Sequence, residues 1–293
     1  MTALWRQRPI GIVGLGLIGG SLGLDLMARG ATVRALVHRP ATAERARERG
    51  LATEVSTDPA VLADCGLVVL ALPLDRLLEP PPSLLAALPT GAVITDVGSV
   101  KGPVLEAWQA RLAPQVAARF VPSHPMAGTA HAGVEAGETD LFRGRPWVAT
   151  PTDGTDPDAV EAVRQLAEAV GARWLTCEAC DHDRAVALIS HLPVLVSAAL
   201  LQAADRGSAA AGGTLPPLVR DLASSGFADT TRVGGGNPEL GTWMARWNRA
   251  AVLEALRDYR LALSELERQL ETEDWGALQA SLGEGQRLRP EFL

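Results

Sequence analysis

Ile10-Gly-Ile-Val-Gly-Leu-Gly-Leu-Ile-Gly-Gly-Ser21 is the stretch on which the reading of this chain turns. An apolar run ends at Val13, glycines follow at positions 14, 16 and 19, and a helical pattern continues through Leu22, Leu24 and Leu26 to Arg29-Gly30. Strand, tight turn and helix start, in that order, form the frame of a dinucleotide-binding unit. The first glycine permits the turn, the second lets backbone approach a pyrophosphate, and the third lets the helix pack close to the strand. The unpaired amides at the helix N-terminus then face the phosphates. A GxGxxG outside that frame is a weak signal; here the frame is complete.

Outward from that stretch, strand alternates with helix. Thr32 to Val37 reads as a second strand, Thr42 to Arg49 as a helix, and Asp58-Pro59 as an N-cap followed by a first-turn proline. Leu67-Val-Val-Leu-Ala-Leu72 is a continuous apolar run, as expected of a strand buried on both faces of a parallel sheet. Pro80-Pro-Pro82 marks a loop before a short helix over Ser83 to Leu88. Further strands are expected at Ala92 to Asp96, Arg119 to Pro122, Trp147 to Thr150 and Arg173 to Cys177, with a helix capped by Asp156-Pro157 running to about Val170. This alternation predicts a doubly wound, Rossmann-type α/β nucleotide-binding domain over residues 1–178.

From 179 to 293 the strands vanish, and the pattern predicts an all-α helical domain. Helices are expected over about 181–206, 215–225 and 239–272, with a short one after Asp274. Asn237-Pro238 is again an N-cap with a first-turn proline. Val252, Leu256, Tyr259, Leu263, Leu266 and Leu270 form a heptad stripe suited to a helix–helix seam, inside the domain or across a dimer axis.

Composition excludes several classes. The chain has 293 residues and a net charge of −7; it can bury a large core, and it lacks the basic face of a nucleic-acid binder. No charged-then-apolar leader with a cleavage site opens it, so a cytoplasmic protein is expected. The most apolar window, Ala185 to Ala204, nearly reaches the length of a bilayer span, yet it carries His191, Pro193, two serines and Gln202. A buried helix, not a membrane segment, is the expectation. Three cysteines give no disulfide framework. Cys177-x-x-Cys180, with His182 beyond, lacks the second pair that tetrahedral zinc requires, so no metal is expected.

The end of the second strand narrows the cofactor. NAD enzymes usually place Asp or Glu there to accept from the ribose 2′-hydroxyl. Here the strand ends Leu36-Val-His-Arg-Pro-Ala-Thr42, without a carboxylate. Arg39 can pair with a 2′-phosphate, Thr42 can donate to it from a helix first turn, and His38 can add a donor or stack beside the adenine; NADP is expected over NAD. Two stretches carry the chemistry: Asp96-Val-Gly-Ser-Val-Lys-Gly102 and Ser123-His-Pro-Met-Ala-Gly-Thr129. Both follow strands, and in an open α/β sheet such loops meet beside the ligand. Ser99 and His124 are therefore expected to come together near the nicotinamide.

Taken together, these stretches resemble the prephenate/arogenate dehydrogenase family. The likeness runs through GLGLIGGS at 14–21, DVGSVKG at 96–102, SHPMAGT at 123–129, SHLP at 190–193 and SSGFADTTRVGGGNPELG at 224–241. It is strongest to the arogenate-specific, NADP-using members typical of cyanobacteria. The resemblance implies oxidative decarboxylation of a cyclohexadienol: hydride leaves the ring carbon bearing the hydroxyl, carbon dioxide leaves the opposite carbon, and the ring becomes aromatic. From arogenate the product is tyrosine, from prephenate 4-hydroxyphenylpyruvate. It implies that His124 accepts the hydroxyl proton, that Ser99 orients the same hydroxyl, and that His191 and Arg232 bind substrate, Arg232 holding the ring carboxylate. Coenzyme contacts are expected from Gly14, Gly16, Leu17, Ile18, Gly19, His38, Arg39, Thr42, Leu72 and Ser99. Lys101 is expected to shape its loop without transferring protons. A homodimer acting on a small-molecule substrate is implied, with no nucleic acid or membrane partner.

This chain departs from some members at Val194, where they have a second histidine, at Ala130, where they have Glu, and at Ala228, where close relatives often have Arg or Lys. The helix-like sequence up to Leu293 leaves no room for an appended regulatory domain, so any tyrosine inhibition is expected at the active site. Another NADP dehydrogenase of similar build, such as a β-hydroxyacid or imine reductase, is a rival reading. A non-catalytic dinucleotide sensor is a weaker one, since a sensor needs no base beside the nicotinamide.

Overall fold

The computed structural model describes residues 4–129 and 131–292. β1 (Ile10–Val13) runs parallel between β2 (Val33–Leu36) and β4 (Leu67–Leu70). β3 (Glu54–Ser56) pairs outside β2, while β5 (Val93–Asp96) and β6 (Phe120–Val121) extend the other side. The order β3-β2-β1-β4-β5-β6 is that of a doubly wound sheet, with its switch point between β1 and β4. Ligands bind outside the carboxyl ends of the strands at such a point. Every residue of β1, β4 and β5 is buried, which is why these runs read as apolar without alternation. Ile10 and Ile12 pack with Leu22 and Leu26 on one face; Val13 packs with Leu74, Leu77 and Trp108 on the other.

Two features of this half differ from the sequence reading. β3 went unseen, because a three-residue edge strand with Glu54 and Ser56 beside a single buried Val55 carries no pattern. The last strands do not join the main sheet. β7 (Ser123–Pro125), β8 (Pro146–Ala149) and β9 (Arg173–Thr176) form a second one, antiparallel between β7 and β8 and parallel between β8 and β9. Pro122 has no N–H to offer the first ladder, and its carbonyl instead accepts from Thr150 N–H at 2.9 Å. The chain thus changes sheets at this proline. Ser123–Pro125, expected as a loop, is a strand, and His124 sits in register with Val148.

The N-caps read from Asp58, Asp156 and Asn237 are present, each side chain accepting from an amide two residues on. In the helical half, the single helix expected over 239–272 is two, Pro238–Trp247 and Arg249–Glu271, broken at Asn248. The one expected over 181–206 runs from Ala179 through Val186, passes a π-helical turn at Ala187–His191, and continues as Leu192–Ala211. Pro193 explains the turn: it lacks an N–H and its ring crowds the carbonyl four residues back. Leu192 N–H reaches five residues back, to the carbonyl of Ala187. Buried pairs then fall at 182–183, 186–187 and 191–192, so the extra residue keeps His191 on the inner face. A helix over Ser225–Thr231 was not foreseen, and the last helix, Trp275–Phe292, is long, not short.

The helical half has a thin core of its own, Ala187, Leu192, Val252 and Ala255. The heptad stripe is buried at Val252 but open at Leu263 and Leu270, both about half exposed. By length and composition the Ala179–Ala211 helix could cross a membrane, and only 28% of its most apolar window is buried within the chain. The expectation of a buried helix is therefore not met inside one subunit. Trp243 and Trp247 pack against the Leu74–Trp108 cluster and join the two halves.

Candidate active site

The glycine turn has the shape a dinucleotide needs. Gly14 has φ +96°, and a Cβ there would lie 2.3 Å from the carbonyl oxygen of Ala71. A Cβ on Gly19 would lie 2.0 Å from the carbonyl oxygen of Gly14, whereas one on Gly16 would meet nothing within 4 Å. Turn and packing thus demand two of the glycines, and the third leaves open space where a pyrophosphate would come. Gly16 is the N-cap of the Leu17–Ala28 helix, and no side chain caps it. The amides of its first turn, including Ile18 and Gly19, remain available to an anion. Leu72 flanks Gly14, its Cδ2 3.4 Å from where that glycine's Cβ would be.

At the end of β2, His38 and Arg39 are exposed, and Arg39 Nε donates to His38 Nε2 at 2.8 Å. Arg39 is the N-cap residue of the Pro40–Glu48 helix, which begins two residues earlier than expected and keeps Thr42 in its first turn.

The chemical half of the site is built on a buried ion pair. Asp96 ends β5, fully buried; Gly98 N–H donates to its Oδ2 at 2.7 Å and Ser123 N–H to its Oδ1 at 3.1 Å. Lys101, also fully buried, pairs its Nζ with Asp96 and donates to the Ser123 carbonyl at 2.7 Å. Burial lowers the Lys101 pKa, and Asp96 opposes that shift. The clamp ties the turn carrying partly exposed Ser99 to the start of β7, which carries His124. Ser99 and His124 thus hang from one anchor.

His124 is held by residues the sequence reading missed. Its Nδ1 lies 3.0 Å from His182 Nε2, and His182 Nδ1 lies 2.8 Å from Asp183 Oδ1. Asp183 also caps the Gly102–Gln109 helix, accepting from Lys101 N–H at 2.7 Å and Gly102 N–H at 2.9 Å. Burial pushes this carboxyl up, but the His182 hydrogen bond and the two amides outweigh it and hold its pKa below the usual range. The Asp183 carbonyl accepts from Asn248 Nδ2 at 2.6 Å, and that nitrogen is 3.2 Å from His191 Nδ1. Burial, then coulombic repulsion from His182, Lys101 and His191, holds the His124 pKa well below 6.5. Burial also brings His191 down to about 4, against the pull of Asp183. Both rings are neutral at pH 7. His191 is 2% exposed and its Nε2 has no partner among the described residues, a polar atom placed to meet a ligand.

Arg232 lies apart from this network. It opens a 3-10 turn, Arg232–Gly235, that packs tightly on the Leu192–Ala211 helix: Gly234 N–H donates to Ser197 Oγ at 3.0 Å, and a Cβ at 234 would lie 2.4 Å from Ala198 N. The Arg232 side chain is exposed and has no ion pair among the described residues. Val194 is partly buried, with its Cγ1 3.5 Å from where a Cβ on Gly241 would be. Ala228 is exposed, and Ala130 and Leu293 lie outside the described residues. His182, weighed beside the cysteines, turns its ring to His124 and Asp183.

Comparison with known proteins gives the family. Residues 22–176 match the family model described as prephenate dehydrogenase, nucleotide-binding domain, and residues 178–284 match prephenate dehydrogenase, dimerization domain. The chain is 40% identical to Synechocystis arogenate dehydrogenase, with a TM-score of 0.79 over 97% of this chain and 100% of that one. It is 26% identical to prephenate dehydrogenase from A. aeolicus, solved with hydroxyphenyl propionate and NAD+, at a TM-score of 0.87 over 98% of both chains. Cyclohexadienyl dehydrogenase from Zymomonas mobilis is 30% identical over 285 residues, 96% of this chain and 95% of that protein.

Proposed function

The chain belongs to the prephenate dehydrogenase family, and from that premise we propose that it converts L-arogenate to L-tyrosine by oxidative decarboxylation, with NADP as coenzyme. The observation that carries this reading is a neutral histidine, His124, held from behind through its Nδ1 and anchored to the loop of Ser99 at the carboxyl end of the sheet. A neutral imidazole can accept the proton of the ring hydroxyl as hydride leaves the carbon bearing it. A dinucleotide held by its pyrophosphate at the Gly14–Gly19 turn would supply the hydride acceptor through its nicotinamide. Ser99 orients the hydroxyl, and His191 binds substrate through its unpartnered Nε2. Arg232, a cation without an ion-pair partner among the described residues, holds the ring carboxylate until carbon dioxide departs. The electron pair of the broken carbon–carbon bond enters the ring, and the proton on His124 returns to the phenolate oxygen.

NADP is favoured by the missing strand-end carboxylate and by Arg39, held against His38 with Thr42 one turn away. Arogenate is favoured by Val194, which presents no imidazole, and by the likeness to the Synechocystis enzyme. Prephenate is the second reading, favoured by the names of the A. aeolicus and Zymomonas relatives. The measurement that decides is kcat/KM for the four pairs of substrate and coenzyme. Arogenate with NADP is expected to be best; prephenate with NAD coming first would overturn both halves. Arg232→Ala should raise the substrate KM about 30-fold or more with coenzyme affinity unchanged, since a desolvated charge pair that loses one partner costs about 2–5 kcal/mol. An unchanged KM would remove Arg232 from the site.

The protein is proposed to work in the cytoplasm as a homodimer. A second subunit would cover the open side of the Ala179–Ala211 helix and the exposed end of the heptad stripe. Placing Asp at both Leu263 and Leu266 is expected to give a monomer by light scattering, where the wild type is expected to be a dimer, with loss of activity. A wild type that is monomeric and fully active would count against the assembly.

A further inference from the structure

The hydrogen bonds around Asp183 do more than hold two histidines in place. A carboxylate only accepts, so His182 Nδ1 must carry the proton of its bond to Asp183 Oδ1. His124, read as the base, needs its Nε2 bare, so its proton lies on Nδ1 and is donated over 3.0 Å to a lone pair at His182 Nε2. The second branch runs the other way. A backbone carbonyl only accepts, so the Asn248 atom 2.6 Å from the Asp183 carbonyl is its NH2 nitrogen. That same nitrogen is 3.2 Å from His191 Nδ1, which must therefore be the acceptor, leaving the proton of His191 on Nε2. Two rings about one residue end in opposite states.

We propose that Asp183, acting through His182 on one side and Asn248 on the other, sets the active-site histidines in opposite tautomers, His124 with a bare Nε2 that accepts a proton and His191 with an Nε2–H that donates a hydrogen bond. The assignment rests on the reading of His124 as the base and gives each ring its task. It makes His182 and Asn248 positioning residues, and it defines what His191 recognises: an oxygen lone pair on the substrate, a carboxylate, carbonyl or hydroxyl, and not an ammonium group. The buried His191 Nε2 has no partner among the described residues, so the donor is unspent until a ligand arrives. Asp183 also caps the Gly102–Gln109 helix beside Lys101. The state of both rings is thereby tied to the loop that carries Ser99.

The test is 15N NMR of the full-length enzyme labelled at histidine, free of ligand at pH 7. With five histidines in the chain, single His→Gln variants assign each ring. Protonated and bare ring nitrogens resonate far apart, so tautomers are read without turnover. The expected result is protonated Nδ1 in His124 and His182 and protonated Nε2 in His191. His124 protonated at Nε2, or His182 carrying both protons, would overturn the proposal. In His182→Leu, His124 loses its acceptor and should drift toward the other tautomer, with kcat down about 10²-fold or more and coenzyme affinity unchanged. His182→Gln, whose amide oxygen can take the Nδ1–H, should recover much of that loss. If His182→Leu fails to fold, the wild-type spectrum alone still decides. The expected tautomers together with a fully active His124→Ala enzyme would overturn the role of His124 and leave the tautomer assignment standing.

Discussion

Replacing His124 with alanine lowers kcat by about 10²–10⁴-fold while the coenzyme still binds. The size of the effect follows from what the residue supplies. Proton removal from the ring hydroxyl must accompany hydride loss, and among the described residues of this network the other groups are committed: Lys101 to Asp96, His182 to Asp183 and His124, and His191 through its Nδ1 to Asn248, which leaves its Nε2 to donate. Water can replace the base only poorly. The glycine turn lies on another part of the sheet, so coenzyme affinity stays within a factor of about two by the same reasoning. The pH profile gives an independent check. Protonated His124 cannot accept a proton, so activity is present above its pKa and lost as pH falls through it. Because burial and neighbouring positive charge hold that pKa well below 6.5, the wild-type enzyme keeps its activity on mild acidification. The alanine variant should lack the limb due to this group. Turnover near the wild-type level, with the limb intact, would assign the proton to another residue.

Lys101→Met is expected to destabilise the protein by about 3–5 kcal/mol, because it strands a buried carboxylate. Asp96 would keep two amide donors, from Gly98 and Ser123, but would lose the cation it pairs with. Adding Asp96→Asn removes the stranded charge, so the double variant should be more stable than Lys101→Met alone. Urea denaturation of the wild type, the single and the double variant measures this. A cost below about 1 kcal/mol for the single variant would mean that the pair is not the anchor of the site. Should the single variant not fold, a folded double variant would make the same point. Any folded Lys101→Met protein should also lose kcat, since the Ser99 turn and β7 are both tied to that ammonium.

Much of this molecule was legible before the structure. The order of strands and helices, the glycine turn, the N-caps at Asp58, Asp156 and Asn237, and the change to helices after 178 are local properties. Each depends on side-chain periodicity, a missing Cβ, or an oxygen two residues from an amide. That the segments after β5 and β6 meet could be read from their places after neighbouring strands, and the bonds of Lys101 and Asp96 to Ser123 join them.

What could not be read was whatever depends on contact between distant segments. His182 looked like a companion of Cys177 and Cys180 because neighbours in sequence are all a sequence offers; its true partners lie 58 residues away and beside it. Asn248 looked like the interior of one helix, and only packing reveals that the break there turns its amide to Asp183 and His191. The switch of strands at Pro122 was written in the chain as a proline, but not where the next strand would pair. The sequence by itself determined which elements form and which residues can do chemistry, since those follow from backbone preference and functional-group type. Only the tertiary structure decided which groups face the active-site histidines, because His124 meets His182 and His191 meets Asn248 across 58 and 57 residues of chain.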